Sequence, residues 1–186
     1  PMVLRRIANL NRYPRQRRLT PVDAVKFAAA YGQWLKGVYP SGPYKVVIGR
    51  DARPSGDMIQ SLVMQTLIGQ GIDIIDLGLS TTPTVEVAVP MESAQGGIIL
   101  TASHNPKEWN ALKLLNHKGE FLDAEAGASI LEIAQNERFD FSAVDELGLI
   151  TQNDTYIDKH IEAILALPLV DRAAIKSCGF RVVVDA

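Results

Sequence analysis

Apolar and polar positions change period along this chain, and the changes divide it into elements. Val22, Val25, Phe27, Ala28, Ala29, Tyr31 and Trp34 recur at helical spacing and predict a helix to about residue 36. Thr20 stands as its N-cap, Pro21 as the first helical residue and Asp23 in the first turn, while Gly37 ends it. After the turn cluster Pro40-Ser41-Gly42-Pro43, residues 44–48 read as a strand. A helix over residues 56–70 follows, capped by Ser55 and buried through Met58, Leu62, Val63, Leu67 and Ile68. A strand at 72–77 and a short helix at 83–89 come next.

Gly96-Gly97-Ile98-Ile99-Leu100 is a short, wholly apolar strand that runs into Thr101-Ala102-Ser103-His104-Asn105-Pro106, a polar turn. Strand and helix thus alternate three times with short connections, the rhythm of a helix-covered, mainly parallel sheet. The rhythm then breaks. Residues 110–116 and 120–122, around His117-Lys118-Gly119, predict a β-hairpin lying at the sheet edge. Helices follow at 124–136, 154–165 and 170–177, and Phe180-Arg181-Val182-Val183-Val184-Asp185-Ala186 predicts a new buried strand. A strand with no helix after it suggests the opening of a second domain. The expected organisation is an arginine-rich segment at 1–18, a three-layer α/β/α domain at 19–150, and linker helices with a first domain II strand at 151–186. The fold class is α/β, its sheet mainly parallel with an antiparallel edge hairpin.

Composition narrows the function classes. The apolar fraction of 47% and charged fraction of 22% are those of a soluble globular chain, and no apolar run reaches the ~18 residues of a membrane span. One cysteine, Cys178, rules out an internal disulfide and points to a cytoplasmic protein. The net charge of −2 conceals an asymmetry: residues 1–18 hold six arginines and no acid, leaving 13 basic against 21 acidic side chains in the rest. A body with a balance of −8 is a poor nucleic-acid binder. The arginine-rich head could be a nucleic-acid arm, a transit-like presequence or a disordered tail; the lack of a periodic apolar face favours the tail.

Three loops, at 49–56, 78–82 and 101–106, follow strands, so a parallel sheet gathers them on one edge. Together with the hairpin they supply Arg50, Asp51, Arg53, Ser103, His104, Asn105 and Lys113, a cationic set around one hydroxyl. Such a set suits a phosphate, either as ligand or as a covalent group on Ser103, since a phosphoserine brings about −1.5 to −2 charges and three strong acceptors. Other chemistries fit less well. The serine lacks a G-x-S-x-G elbow, and His104, its immediate neighbour, is badly placed to serve as its base. No Walker loop or G-x-G-x-x-G follows a strand, and one Cys with three scattered His (His104, His117, His160) does not make a zinc site.

Thr101-Ala102-Ser103-His104-Asn105-Pro106 with Asn110-Ala111-Leu112-Lys113 resembles the phosphoserine signature of the α-D-phosphohexomutases, the phosphoglucomutases, phosphomannomutases and phosphoglucosamine mutases. Gly49-Arg50-Asp51-Ala52-Arg53-Pro54-Ser55 is similar to the same family's G-R-D-x-R-x-S loop, and the likeness runs from about residue 19 onward. The resemblance implies a phosphoryl shuttle. Ser103, as phosphoserine, would pass its phosphoryl group to a hexose phosphate and recover another from the bisphosphorylated sugar. It implies Mg²⁺ on an oxygen of that phosphate, with other ligands from a domain beyond this one, and a sugar bisphosphate as activator. Lys113 would be a proton shuttle or charge stabiliser, His104 and Asn105 would orient the phosphate, and Arg50 and Arg53 would add positive charge. Arg50 with Asp51 is also expected to brace its loop.

The resemblance covers only the first of four family domains. The family's metal-binding D-G-D-x-D-R loop, its sugar-recognition loop and its last phosphate-binding loop have no match in the chain. A glycine-rich S-G-I-R-G-T-like stretch that gives the family a catalytic arginine is replaced by Arg5 to Arg18 without glycine, and none of these arginines is assigned its role. Two functions remain open: the phosphoserine domain of a phosphohexomutase, inactive without its partner domains, or a non-catalytic phosphate-binding module.

Overall fold

The computed structural model describes residues 19–185. Residues 1–18, and with them every reading of the arginine-rich head, lie outside the described residues, as does Ala186. Five strands form one sheet in the order β4-β3-β1-β2-β5. Strands β1 (Tyr44–Arg50), β2 (Ile72–Leu79) and β3 (Gly96–Leu100) are mutually parallel. Strand β4 (Leu112–Leu115) pairs antiparallel to β3, and β5 (Ile150–Gln152) adds parallel to β2. The expected α/β class with a mixed, mainly parallel sheet is what the chain forms.

Both faces of the sheet are covered, because residues alternate between them with period two. Val46, Ile48, Ile98 and Leu100 face α1 (Pro21–Val38), α2 (Gly56–Ile68) and α4 (Ala124–Asn136). Val47 and Ile99 face α3 (Thr82–Met91) and Tyr156 of α5 (Tyr156–Leu165). Three of these helices, α1, α3 and α4, start from a side-chain cap. Thr20 and Asp23 form a reciprocal capping box at α1, Thr81 caps α3 and Asp123 caps α4.

Gly96 and Gly97 do more than punctuate the start of β3. Tyr31, fully buried on α1, donates its hydroxyl hydrogen bond to the Leu115 carbonyl at 2.7 Å. A Cβ on Gly96 would lie 2.0 Å from that hydroxyl, and one on Gly97 would lie 2.6 Å from Val89 Cγ2. Glycine here is a packing requirement that lets α1 tie β4 to β3.

Several expectations are corrected. Residues 180–185 form no strand and are exposed; a strand requires a neighbouring ladder, and no described residues supply one. The returning arm of the hairpin is reduced to a single bridge, Leu115 to Phe121, although Gly119 does occupy its turn at φ +77°. Strand β5 was not expected: it is three residues long, all exposed, and is held by pairing to β2. Gly148, just before it, crosses Ile72 so closely that a Cβ would sit 2.1 Å from the Ile72 carbonyl oxygen. On α2 the buried face is carried by Ile59, Val63 and Leu67, while Met58 is exposed, and Ser55 makes no side-chain cap. On α1 Val22 is exposed.

Two stability outcomes follow from this packing. Gly96→Ala is expected to cost about 1–3 kcal/mol, the range for overpacking a close contact, read as a fall in the urea unfolding midpoint. Burial pushes the Tyr31 phenol far above its ordinary 10.0 despite the hydrogen bond with the Gly97 backbone. The folded state therefore holds a proton that the unfolded chain releases, so the Tyr31 contribution is complete below pH ~10 and is lost as pH rises beyond it. Urea midpoints measured up to about pH 11 should fall less steeply in Tyr31→Phe than in the parent chain.

Candidate functional site

Three loops leave the carboxyl ends of β1, β2 and β3 side by side, and backbone hydrogen bonds knit them together. Asp51 N–H donates to the Leu100 carbonyl at 3.0 Å, and Ser80 N–H donates to the Arg50 carbonyl at 2.8 Å. A second link runs through side chains. Arg50 Nε donates to Gln60 at 2.9 Å, Gln60 Nε2 donates to Asp76 Oδ1 at 2.6 Å, and that oxygen also accepts the Gly78 N–H. The rim therefore rests on a buried polar chain anchored in α2 and β2.

Ser103 stands on this rim, exposed, with φ +53°, a left-handed conformation uncommon for a residue with a Cβ. Its local support is explicit. The Ser103 N–H donates to Thr101 Oγ1 at 3.0 Å, and the Asn105 N–H and side-chain amide both donate to the Ala102 carbonyl. Backbone in this region costs about 1–3 kcal/mol and persists only where its surroundings over-determine it. Here the over-determination comes from Arg53.

The Arg53 side chain is 10% exposed and uses all five of its N–H donors. Nε meets Asp51 Oδ2 at 3.0 Å. Nη1 meets the carbonyls of Pro106 (2.7 Å) and Trp109 (3.0 Å), and Nη2 those of Ser103 (2.6 Å) and Asn105 (2.8 Å). The guanidinium that the sequence places among phosphate binders thus holds the serine loop by its backbone, with no donor to spare. Arg50 is likewise engaged, ion-paired to Asp57 as well as bonded to Gln60 and the Asp51 carbonyl. The expected Arg50–Asp51 brace is a crossed pair of braces: Arg50 takes Asp57, and Arg53 takes Asp51. Ser55, in place of capping α2, accepts a hydrogen bond from Asn110 at 3.1 Å, so the two motif loops are joined a second time.

Lys113 brings its charge to the hydroxyl. Its Nζ lies 3.0 Å from Ser103 Oγ. On β4 it pairs with Ile99 and shares that residue's side of the sheet, from which its side chain climbs to the rim. The ammonium passes over the Phe121 ring at 5.9 Å from the centroid, within cation–π range. Among the described residues Lys113 has no carboxylate within ion-pair distance. Burial pushes the Glu86 carboxyl, on α3, above its ordinary value, and the charge of Lys113 pulls it part of the way back. Glu86 escaped the sequence reading, which placed Thr101 in the turn and Phe121 in the hairpin without assigning either a role beside Ser103; the hairpin register was the one available signal for Phe121. His104 is exposed and makes no hydrogen bond among the described residues.

No group of three His, Cys, Asp or Glu side chains converges among the described residues. Asp51, a carboxylate of the rim, is occupied by Arg53. The described residues therefore do not by themselves build a Mg²⁺ centre, and among them an oxygen carried on Ser103 would be the ligand on offer. No helix is long and apolar enough to cross a membrane among the described residues.

Comparison with known proteins adds the relatives. Residues 8–141 match the family model for phosphoglucomutase/phosphomannomutase, alpha/beta/alpha domain I. The chain is 39% identical over 167 residues to a phosphoglucomutase/phosphomannomutase of Thermococcus kodakarensis, covering 90% of this chain and 36% of that protein. It is 35% identical over 148 residues to a probable phosphoglucosamine mutase of Pyrococcus abyssi, covering 80% of this chain and 31% of that one. Among solved structures, a putative phosphomannomutase from Thermus thermophilus aligns with a TM-score of 0.64 at 28% identity, over 77% of this chain and 31% of that one. A phosphoglucomutase/phosphomannomutase family protein from Burkholderia thailandensis has a TM-score of 0.66 at 23% identity, over 79% and 32%, and shows the shared fold. The chain thus spans about a third of the length of the relatives it matches. With a sheet of this order and two motif loops locked together at its carboxyl rim, the chain belongs to the phosphoglucomutase/phosphomannomutase family and carries the α/β/α domain I.

Proposed function

We propose that this chain is the phosphoserine-bearing domain of a phosphohexomutase, an isomerase of carbohydrate metabolism that moves a phosphoryl group between two positions of a hexose phosphate. The observation that carries this reading is the 3.0 Å contact between Lys113 Nζ and Ser103 Oγ at an exposed rim. A serine hydroxyl held out in solvent by a strained backbone, with an ammonium on its oxygen, is arranged for a group that carries charge.

In the forward half-reaction a sugar hydroxyl attacks the phosphorus on Ser103. A new O–P bond forms on the sugar, the Ser103 Oγ–P bond breaks, and the electron pair stays on Oγ, which ends by taking up the proton that the sugar hydroxyl gives up. Lys113 stabilises that developing charge by its hydrogen bond, a contribution that is largest when the oxygen is most negative. In the return half-reaction Oγ attacks the other phosphate of the bisphosphorylated sugar: a new Oγ–P bond forms, that sugar O–P bond breaks, and the freed sugar oxygen takes up the proton that Oγ gives up. The sugar bisphosphate thus serves as intermediate and, added from outside, as activator. His104 and Asn105 are assigned to orienting the phosphate. Arg53 is assigned to the loop backbone, a positioning role, and Arg50 to the support beneath it. Mg²⁺, bound to a phosphoryl oxygen on Ser103 with its other ligands from further domains, would neutralise charge during transfer. A non-catalytic phosphate-binding module is the competing function, in which the same Ser103–Lys113 pair at an exposed rim would bind a phosphate without transferring it.

The test is phosphorylation rather than binding. Joined to the domains its relatives carry, the protein incubated with glucose 1,6-bisphosphate and Mg²⁺ should gain one phosphoryl group by intact-mass spectrometry, and Ser103→Ala should gain none. An unlabelled, folded protein would leave only the phosphate-binding module. Lys113→Met should slow transfer by about 10²–10³-fold, the scale for losing one donor to a developing oxyanion, with less effect on KM. The 186 residues alone should show no mutase turnover in a coupled assay, since they span about a third of the relatives' length and the sugar must be held in register for transfer.

Arg53→Lys gives a separate outcome. One ammonium offers three donors in place of a planar fork of five, so at least two of the five acceptors that Arg53 serves lose its donor. Transfer to Ser103 is expected to fall at least tenfold while Lys113 and Ser103 remain intact, and amide exchange of residues 103–109 should accelerate. Unchanged exchange with lost activity would remove the positioning role.

A further inference from the structure

We propose that the chain carries a second anion site, specific for a phosphate group, at the sheet edge opposite Ser103. An open cavity of about 480 Å³ lies there, lined by Tyr39, Pro90, Ser93, Gln95, His117 and Lys118, with Ala94 at its wall. Its place follows from topology. Gln95 immediately precedes β3, Ser93 follows α3, and His117 and Lys118 follow the antiparallel β4, so all four reach the amino-terminal edge of the parallel strands.

The chemistry of the lining is one-sided. Gln95 Oε1 is already taken by the Lys45 N–H at 2.7 Å, which leaves its amide NH₂ as the free end. Tyr39 Oη lies 2.6 Å from His117 Nδ1. Burial pushes the Tyr39 phenol above its ordinary value, partly offset by a hydrogen bond with the His117 backbone. The tautomer in which Nδ1 accepts from the phenol places the ring's N–H on Nε2, a donor toward the cavity's contents. Lys118 Nζ adds an ammonium with no partner among the described residues, and the Ser93 hydroxyl is also unpaired. No carboxylate lines the cavity; Glu92, next to Ser93, is turned toward Lys45 and the Tyr156 hydroxyl. An ammonium, an imidazole N–H, an amide and a hydroxyl around one space ask for an acceptor-only anion with several oxygens, which a phosphate is. The apolar Pro90 and Ala94 leave room for a small organic body on that phosphate.

This site owes nothing to the rim. The test uses the 186-residue chain carrying Ser103→Ala, titrated by ¹H–¹⁵N NMR with inorganic phosphate and, separately, with glycerol 2-phosphate. The expected result is saturable shifts at Ser93, Gln95, His117 and Lys118, and a Kd raised about tenfold or more by Lys118→Ala and by His117→Ala. Tighter binding of the ester than of free phosphate would identify a phosphorylated metabolite as occupant, and equal binding would identify phosphate itself. Shifts confined to residues 103–113, shifts scattered over surface lysines, or affinities unchanged in both variants would overturn the proposal. Because the readout is binding at residues remote from Ser103, its failure leaves the phosphoserine reading where it was.

Discussion

The geometry of the rim depends on the hydrogen-bond count of a single guanidinium. Arg53 meets one carboxylate and four backbone carbonyls of the segment 103–109, and each of its five N–H groups has one partner. Burying a charge is costly unless it is paired and its donors are satisfied. Here both conditions hold, with Asp51 balancing the charge and the carbonyls absorbing the donors. The reciprocal consequence is that the carbonyls of Ser103, Asn105 and Trp109, which no strand pairs, depend on Arg53 for their partners, while that of Pro106 also accepts the Trp109 N–H. The conformation of Ser103 is thereby set from beneath, leaving its side chain free above.

Arg53 and Lys113 divide the work between them, and charge alone does not reveal the division. Both are cations within one loop cluster, yet one is saturated and one-tenth exposed while the other places its ammonium on the serine oxygen. Arginine suits the first task because its planar fork matches several carbonyls at once; lysine suits the second as a point charge on a flexible stem. Exchanging the two residue types would leave the net charge unchanged and damage both functions.

This is also where the sequence stops being legible. Helix α1 could be read from Thr20, Pro21 and the apolar stripe, and β3 from its uninterrupted run, since period and capping are local properties. The carboxyl-rim placement of Ser103 followed from topology. Which donors of Arg50 and Arg53 are free is not local: it depends on Gln60, Asp57 and Trp109, which meet them only in the folded chain. Ser55 misled for the same reason, since its hydroxyl serves Asn110, 55 residues away. Strand β5 was hidden because three exposed residues carry no period, and Gly148 betrays it only once Ile72 lies beneath it. The strand expected at 180–186 failed in the opposite direction, as β-rich composition cannot supply a neighbour to pair with.

The antiparallel edge strand makes the arrangement economical in chain length. Parallel strands all arrive at the rim pointing outward, so each contributes only the loop beyond its end. Strand β4 begins at the rim and descends, and Leu100 pairs with Leu112 while Ile99 pairs with Lys113. A side chain near its start therefore lies just below the rim, within a lysine's length of a residue three positions beyond the end of β3. A parallel neighbour would need a crossover of a dozen or more residues to achieve the same proximity. Register then becomes decisive: a shift of one residue would turn Lys113 to the opposite face and bring Leu112 or Leu114 round in its place. Tyr31 guards against that shift by holding the Leu115 carbonyl at the far end of the same strand, and Gly96 leaves it the space to do so. The contact at Ser103 is thus secured from the opposite edge of the sheet as well as from the loop that carries it.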